Sequence, residues 1–306
     1  MAARPKTLVG AVAPVLVGGL LGFSHLAPRV ASASAIGWWM QAFAPFMLCM
    51  LFALIMQIDA NFINDYIDWR KGSDRSDRLG PERAMAQGWI TPNAMRLGIL
   101  ITTIAAILIG LPLLFFGGMW MILVAVLCIV ACFLYSTFMS YKGWGDALVI
   151  VFFGIVPVVF TYWCVVKGSW EAALNVSVIN QTAIIFKLQQ AMLLGIAMGL
   201  VTDCLLMVNN YRDVEQDRVS GKQTLVVRFG EKIALQLYLW AGVVAVVLVL
   251  LVSWKSAVLL LAYLVLHLIT AYKMSRRKGR DLNSVLGMTA RNIIIFGACT
   301  ALGLMI

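Results

Sequence analysis

Nine apolar stretches, each near the ~17–25 residues a helix needs to cross bilayer hydrocarbon, occupy most of this chain. They run as Leu8–Phe23, Ala42–Ile63, Ala94–Phe116, Met119–Phe138, Ala147–Val166, Gln189–Asn209, Ile233–Val252, Ser256–Tyr272 and Val285–Ile306. In lipid every backbone N–H and C=O must be paired internally, which leaves helices or a closed barrel. The runs are too long for barrel strands and lack their strict alternation. The expectation is therefore an all-α polytopic membrane protein, one transmembrane domain over residues 1–306, with its nine helices bundled around a central cavity. The composition agrees, with 62% hydrophobic and only 12% charged residues.

An odd number of spans puts the two termini on opposite sides, and Lys/Arg bias then sets the orientation. With the N-terminus inside, twenty of the 24 Lys and Arg residues fall on the cytoplasmic side. Only Arg29, Lys167, Lys187 and Lys255 fall outside. The net charge of +10 is thus a topology signal. It does not mark a nucleic-acid-binding surface, because the charges are scattered among short loops. Arg4, Lys6, the first apolar stretch and the small-residue run Ala31–Ala35 imitate a signal peptide. That stretch is long for a signal sequence and the run lies well beyond its end, so it is read as an uncleaved span. The expected location is a bacterial cytoplasmic membrane with the active face inside.

The six cysteines form no CxxC pair, and the two histidines, His25 and His267, lie far apart in sequence. A sulfur or imidazole metal site and a Ser-His-type triad therefore find little support. Carboxylates are different. Ten of the fourteen acids fall in two stretches, Asp59 to Glu82 and Asp203 to Asp217, each at the expected cytoplasmic end of a span. Asn61, Asn64, Asp65 and Asp68 share a helix stripe, as do Asp213 and Asp217. Side-by-side carboxylates near lipid repel, and a divalent cation is the simplest relief. Mg2+ takes one or two carboxylates and fills its remaining sites with water and phosphate oxygens, so a Mg2+–phosphate complex is the expected ligand. The competing reading is that each acid is an interfacial charge balanced by a neighbouring Arg or Lys. The stretches also resemble each other: Asn64-Asp65-Tyr66-Ile67-Asp68 and Asn209-Asn210-Tyr211-Arg212-Asp213 align at an offset of 145 residues. Two similar halves, with motifs at 64–74 and 209–217, would face each other across one cavity.

These residues resemble the UbiA-type superfamily of intramembrane aromatic prenyltransferases over nearly the whole chain. They are most similar to its 1,4-dihydroxy-2-naphthoate polyprenyltransferases of menaquinone synthesis. The motifs are Arg-Pro-Lys-Thr from Arg4, NDYIDWRKGSDRSDRLGPERAMAQGWIT from Asn64, GWGD from Gly143 and NNYRDVEQDRVSGKQTLVVRFG from Asn209. The last position of the family's NDxxDxxxD pattern is Gly72 here, and Asp74 follows two residues later as in the naphthoate branch. That departure counts against a 4-hydroxybenzoate enzyme. In the third motif Tyr135 and Tyr141 match aromatic positions, the usual proline is absent, and Lys142 adjoins Tyr141.

The resemblance implies Mg2+ held by Asn64, Asp65, Asp68, Asp74, Asn209, Asn210, Asp213 and Asp217, with Asp65, Asp68, Asp213 and Asp217 catalytic. It implies diphosphate contacts from Arg70, Lys71, Lys142, Arg212 and Lys222. Tyr66, Tyr135, Tyr141 and Tyr211 are the expected lining for an allylic cation, and Arg83 the expected partner of an acceptor carboxylate. The implied reaction joins a polyprenyl diphosphate to 1,4-dihydroxy-2-naphthoate, with loss of the carboxylate, to give a demethylmenaquinone. Prenylation of 4-hydroxybenzoate or haem is the alternative chemistry. A secondary transporter is the alternative class, but it calls for charged sites near the midplane reached from both sides. Here most acids lie at one face.

Overall fold

The computed structural model describes residues 2–30, 37, 39–72, 78–172 and 181–306. Asp74 and the Ala31–Ala35 run lie outside the described residues. Among those described there is no strand, and nine helices are long and apolar enough to span a bilayer. We label them α1 Pro5–Leu26, α2 Gln41–Arg70, α3 Pro92–Gly110, α4 Trp120–Met139, α5 Gly145–Lys167, α6 Lys187–Arg212, α7 Leu225–Val252, α8 Trp254–Arg276 and α9 Gly279–Met305. The chain is an integral membrane protein of the expected class.

The helix ends differ from the apolar pattern in an instructive way. Apolar residues alone end α2 at Ile63, yet it continues two turns further to Arg70 and carries the first acidic motif in helical register. Those polar side chains turn to the protein interior, and Arg70 in the last turn complements the helix dipole. Likewise α6 continues past Asn209 to Arg212. Thr91 and Thr224 cap α3 and α7, each accepting a hydrogen bond from a backbone N–H in the first turn.

The central helix is α6, which packs on α1, α5, α7 and α9. Its crossing with α5 is glycine on glycine: a Cβ at Gly154 would collide with the backbone of Gly195 and Gly199. Small residues of this kind let helix backbones approach where lipid supplies no hydrophobic drive. One core joins α1, α5, α6, α7, α8 and α9 around Met198, Tyr238, Tyr263 and Phe296; a second joins α1, α2, α4 and α5 around Val15, Phe46 and Met121. In the first core His267 stacks on Tyr238 at 4.9 Å and reaches the carbonyls of Tyr238 and Leu239 at 3.1 and 3.2 Å. It is a packed core residue. Helices α3 and α4 bury least, exposing Leu97, Leu100, Ile104, Leu108 and Phe133 where lipid would lie.

Two single π-helical turns, Tyr135–Met139 and Val151–Ile155, flank the loop 140–144. Such turns frequently mark functional segments. The loop docks on residues 220–224 through Gln223 N–H donating to the Tyr141 carbonyl at 2.9 Å. Gly143 has φ +80°, and a Cβ there would strike the Gln223 carbonyl. Only glycine fits that contact.

Candidate active site

The last turns of α2 present Asn61, Asn64, Asp65 and Asp68 along one face. Asn61 is the anchor: its Nδ2 donates to the Ala3 carbonyl at 2.8 Å and to Thr7 Oγ1 at 3.0 Å. This draws the N-terminal residues across the motif, with Arg4 in a left-handed backbone conformation, φ 46°. Arg4 Nη2 then donates to Asn64 Oδ1 at 3.3 Å and stands 4.0 Å from Asp65. Burial first, and then the nearby charge of Arg83, press the Arg4 pKa down to about 9, which leaves it cationic at neutral pH. Arg83 arrives from the loop between α2 and α3. It donates to Asn64 Oδ1 at 2.7 Å and to Asp68 Oδ2 at 3.0 Å, and stands 3.6 Å from Asp65. Asp65 is 1% exposed and neither carboxylate oxygen accepts a hydrogen bond.

The second motif is neutralised differently. Asp213 receives both Arg212 Nε and Nη2 at 2.7 Å. Arg212 also donates to Asn283 Oδ1 at 2.8 Å, and Asn283 in turn donates to the Leu79 carbonyl at 2.9 Å. This arginine therefore staples α6, α9 and the loop after α2. A short helix, Val214–Val219, follows and buries Asp217 3.8 Å from Lys222. Burial pushes the Asp217 carboxyl up to about 6; Asp213 and Asp68 add to the shift, while Lys222 and Arg212 oppose it. Asp68 and Asp217 thus lie within electrostatic reach of each other although they come from opposite halves of the chain.

Between the motifs opens a cavity of about 400 Å³. Asn64, Asp68, Arg83, Asn209, Asn210, Arg212, Asp213, Asp217 and Lys222 line its polar end. Phe52, Met56, Leu113, Met121, Val124 and Phe160 line the apolar part that extends into the bundle, with Tyr135 also in the wall. Several expected residues stand elsewhere. Asp65 lies behind the wall. Arg70 and Lys142 are exposed, with Lys142 Nζ over the Phe138 ring at 4.0 Å. Tyr66 packs with Met85 and Met95, and Tyr211 packs with Val214 and Val226. Lys71 Nζ donates to the Thr137 carbonyl at 2.7 Å and sits 4.0 Å from the Tyr141 ring centre; Lys222 Nζ is 5.3 Å from the same ring. Tyr141 is therefore a bridge between two lysines and does not line the cavity. Asp59, the first acid of the Asp59 to Glu82 stretch, accepts hydrogen bonds from Thr102 and Thr103 of α3 and is not part of the cavity wall. Arg83, expected to meet an acceptor, lines the cavity and is held there by the first acidic motif.

Sequence reasoning passed over Arg4, Arg78 and Gln216 as cavity residues, and Asn283 as the partner of Arg212. Arg4 had a signal in its motif; nothing in the order of residues points to Asn283. The donor set facing the cavity is Asp and Asn oxygen, which suits Mg2+. Among the described residues no three His, Cys, Asp or Glu side chains converge to hold a metal alone. The fit is that of an ion completed by phosphate oxygens, with the orphaned oxygens of Asp65 beside the site.

Comparison with known proteins decides what kind of enzyme has this cavity. The UbiA prenyltransferase family matches residues 11–293. The chain belongs to the UbiA prenyltransferase family. Among curated relatives, this UbiA chain is 31% identical to the 1,4-dihydroxy-2-naphthoate octaprenyltransferase of Mycobacterium leprae (strain TN), across 98% of this chain and 93% of that protein. It is 34% identical to the Escherichia coli (strain K12) protein of the same name, across 74% and 67%. The fold matches the apo structure of a UbiA homolog from Aeropyrum pernix K1, with a TM-score of 0.68 at 14% identity and 97% of both chains covered. It also matches a UbiA homolog from Archaeoglobus fulgidus bound to DMAPP and Mg2+, with a TM-score of 0.57 at 14% identity, covering 98% and 97%.

Proposed function

We propose that this aromatic prenyltransferase moves a polyprenyl group from its diphosphate to 1,4-dihydroxy-2-naphthoate, with release of diphosphate and CO2, giving a demethylmenaquinol that becomes the demethylmenaquinone on later two-electron oxidation. The observation that carries this function is one cavity with acids of both motifs at its polar end and an apolar wall with aromatic rings beyond. A diphosphate ester with an isoprenoid tail has the same division. Relatives at 31–34% identity named for that acceptor, and the Gly72/Asp74 spacing, support the naphthoate branch.

Asn64, Asp68, Asp213 and Asp217, with Asp65 and Asp74, would hold Mg2+, and Asn209 and Asn210 would complete the set. The ion supplies charge neutralisation for the departing diphosphate. Breaking the allylic C–O bond puts more negative charge on that group than the ground state carries. Cations preorganised in a water-poor site therefore favour the transition state. Lys222, Arg4 and Arg78 are placed for this, while Arg83 and Arg212 hold the acids in position. The allylic cation left behind meets Tyr135, Phe52, Phe160 and Met56, faces and sulfurs that stabilise it without capturing it. The electron-rich naphthoate ring attacks the cation and then loses CO2. We place the polar end at the cytoplasmic face of a bacterial inner membrane, on the Lys/Arg bias. We also read the facing motifs as an internal duplication.

The test is to supply purified protein with a polyprenyl diphosphate and either dihydroxynaphthoate or 4-hydroxybenzoate, and to identify products by mass. A prenylated, decarboxylated naphthoquinol is the expected product. Turnover of 4-hydroxybenzoate alone would refute the acceptor, and uptake into liposomes without turnover would favour a transporter.

A further inference from the structure

Every buried acid described so far has a partner: Asp59 its threonines, Asp68 and Asp65 their arginines, Asp213 Arg212, and Asp217 Lys222. Asp146 and Asp203 do not. Asp146, in the first turn of α5, is 6% exposed; Asp203, on α6 nearly two turns before the second motif, is 1% exposed. None of their four carboxylate oxygens has a hydrogen-bond partner on another described residue, and no Lys, Arg or His among the described residues forms an ion pair with either. The Oγ1 of Thr202, 5% exposed, is also unpartnered. Asp146 and Thr202 both line the cavity. The two acids are close enough to interact electrostatically. Buried oxygens left this way are costly, and native structures keep them where a ligand supplies the missing partner.

The surroundings narrow the ligand. Phe152, Phe153 and Tyr135 line the cavity nearby. Gly10 and Gly145 leave the neighbouring side chains their room: a Cβ on Gly10 would lie 3.1 Å from the Thr202 methyl, and one on Gly145 would lie 3.3 Å from Leu206. Aromatic walls with unpartnered acceptors fit a flat ring bearing O–H donors better than a bare ion. We propose that Asp146, Thr202 and Asp203 form a subsite for the hydroxyl groups of the aromatic acceptor, with Asp146 accepting the hydrogen bond directly and Asp203 behind it. The assignment rests on the proposed function and deepens it. It separates two tasks in one cavity: the acids at the mouth serve the diphosphate, and this pair orients the ring.

The experiment compares ligands that differ only in hydroxyls. For wild type and Asp146→Asn, KM is measured for 1,4-dihydroxy-2-naphthoate and for the polyprenyl diphosphate, with the inhibition constant of 2-naphthoate, which has no hydroxyl. The expected result is an acceptor KM raised about tenfold, because a hydrogen bond to a charged partner is replaced by one to a neutral amide. The diphosphate KM, the Mg2+ requirement and the 2-naphthoate constant should stay within about twofold. Thr202→Val should show a smaller shift of the same pattern, and Asp146→Glu should recover part of the loss. A rise shared by naphthoate and dihydroxynaphthoate, or a shift in Mg2+ requirement in place of acceptor KM, overturns the subsite. If Asp146→Asn does not insert, Thr202→Val carries the comparison, and an unchanged acceptor KM there counts as refutation. If the wild type does not turn over dihydroxynaphthoate, the proposed function fails on its own. The subsite is then tested by equilibrium binding of 1-naphthol against naphthalene. A hydroxyl preference lost in Asp146→Asn supports it, and no preference in the wild type sinks it.

Discussion

The two acidic motifs share the Asn, Tyr and Asp of a five-residue pattern and end in different electrostatic states. In the first, two arginines from outside the motif, Arg4 and Arg83, share Asn64, Asp65 and Asp68, and Asp65 keeps both oxygens without a hydrogen bond. In the second, Arg212 from within the motif saturates Asp213, and Asp217, one turn later, faces only the more distant Lys222. The position of Asp65 is taken by Asn210 in the second copy. A short motif therefore places oxygens on a helix face, but the partners that approach that face decide which of them are free for a ligand. By this comparison Asp68, Asp213 and Asp217 all reach the cavity wall, each already beside a cationic side chain, while Asp65 stands behind it between Arg4 and Arg83.

The comparison can be broken in descending order of effect. Full chelation of divalent cations should abolish prenyl transfer, and added Mg2+ should restore it; activity persisting without metal would remove the reason for facing acids altogether. Asp68→Ala and Asp217→Ala should each lower kcat by roughly 10²–10³-fold, the usual loss for an electrostatic group at a developing charge, while membrane insertion is unaffected. Arg212→Ala should act mainly on stability, costing roughly 3–5 kcal/mol, because it leaves Asp213 unpaired and frees Asn283 and the loop it holds. A thermal-unfolding series against Arg83→Ala would show whether the two arginines differ in role. Lys222→Ala should raise the KM for the diphosphate by about tenfold and leave that for the acceptor unchanged, the pattern of a lost phosphate contact. Asp281→Ala, on an exposed turn, should change activity by less than about twofold.

Much of this was legible beforehand because lipid imposes harsh rules on a chain. The nine spans follow from apolar run length, and the acids at one face stand out because charge near lipid is costly. Helix ends were less legible: α2 runs on through Asn64–Asp68 since those polar groups point inward, which a count of apolar residues cannot detect. Lys142 and Arg70 matched phosphate-binding expectations by position and still face outward, and Tyr66 and Tyr211 serve as packing. Arg83 reaches the cavity as a cation in its motif would, but its contacts with three side chains of the first motif are set by a loop that only the fold brings there. Asp146 ends the GWGD motif, and only the fold shows that its carboxylate is buried without a partner.

The order of residues by itself determined the class of fold, the number of crossings and the two places where oxygen ligands gather, since each follows from local composition against the energetics of a bilayer. Tertiary structure alone decided which arginine meets which acid, which lysines flank Tyr141, and which carboxylates stay unpartnered in the cavity wall. Those outcomes depend on contacts between helices distant in sequence, and a buried charge takes its character from whatever such contacts bring within a few ångströms of it.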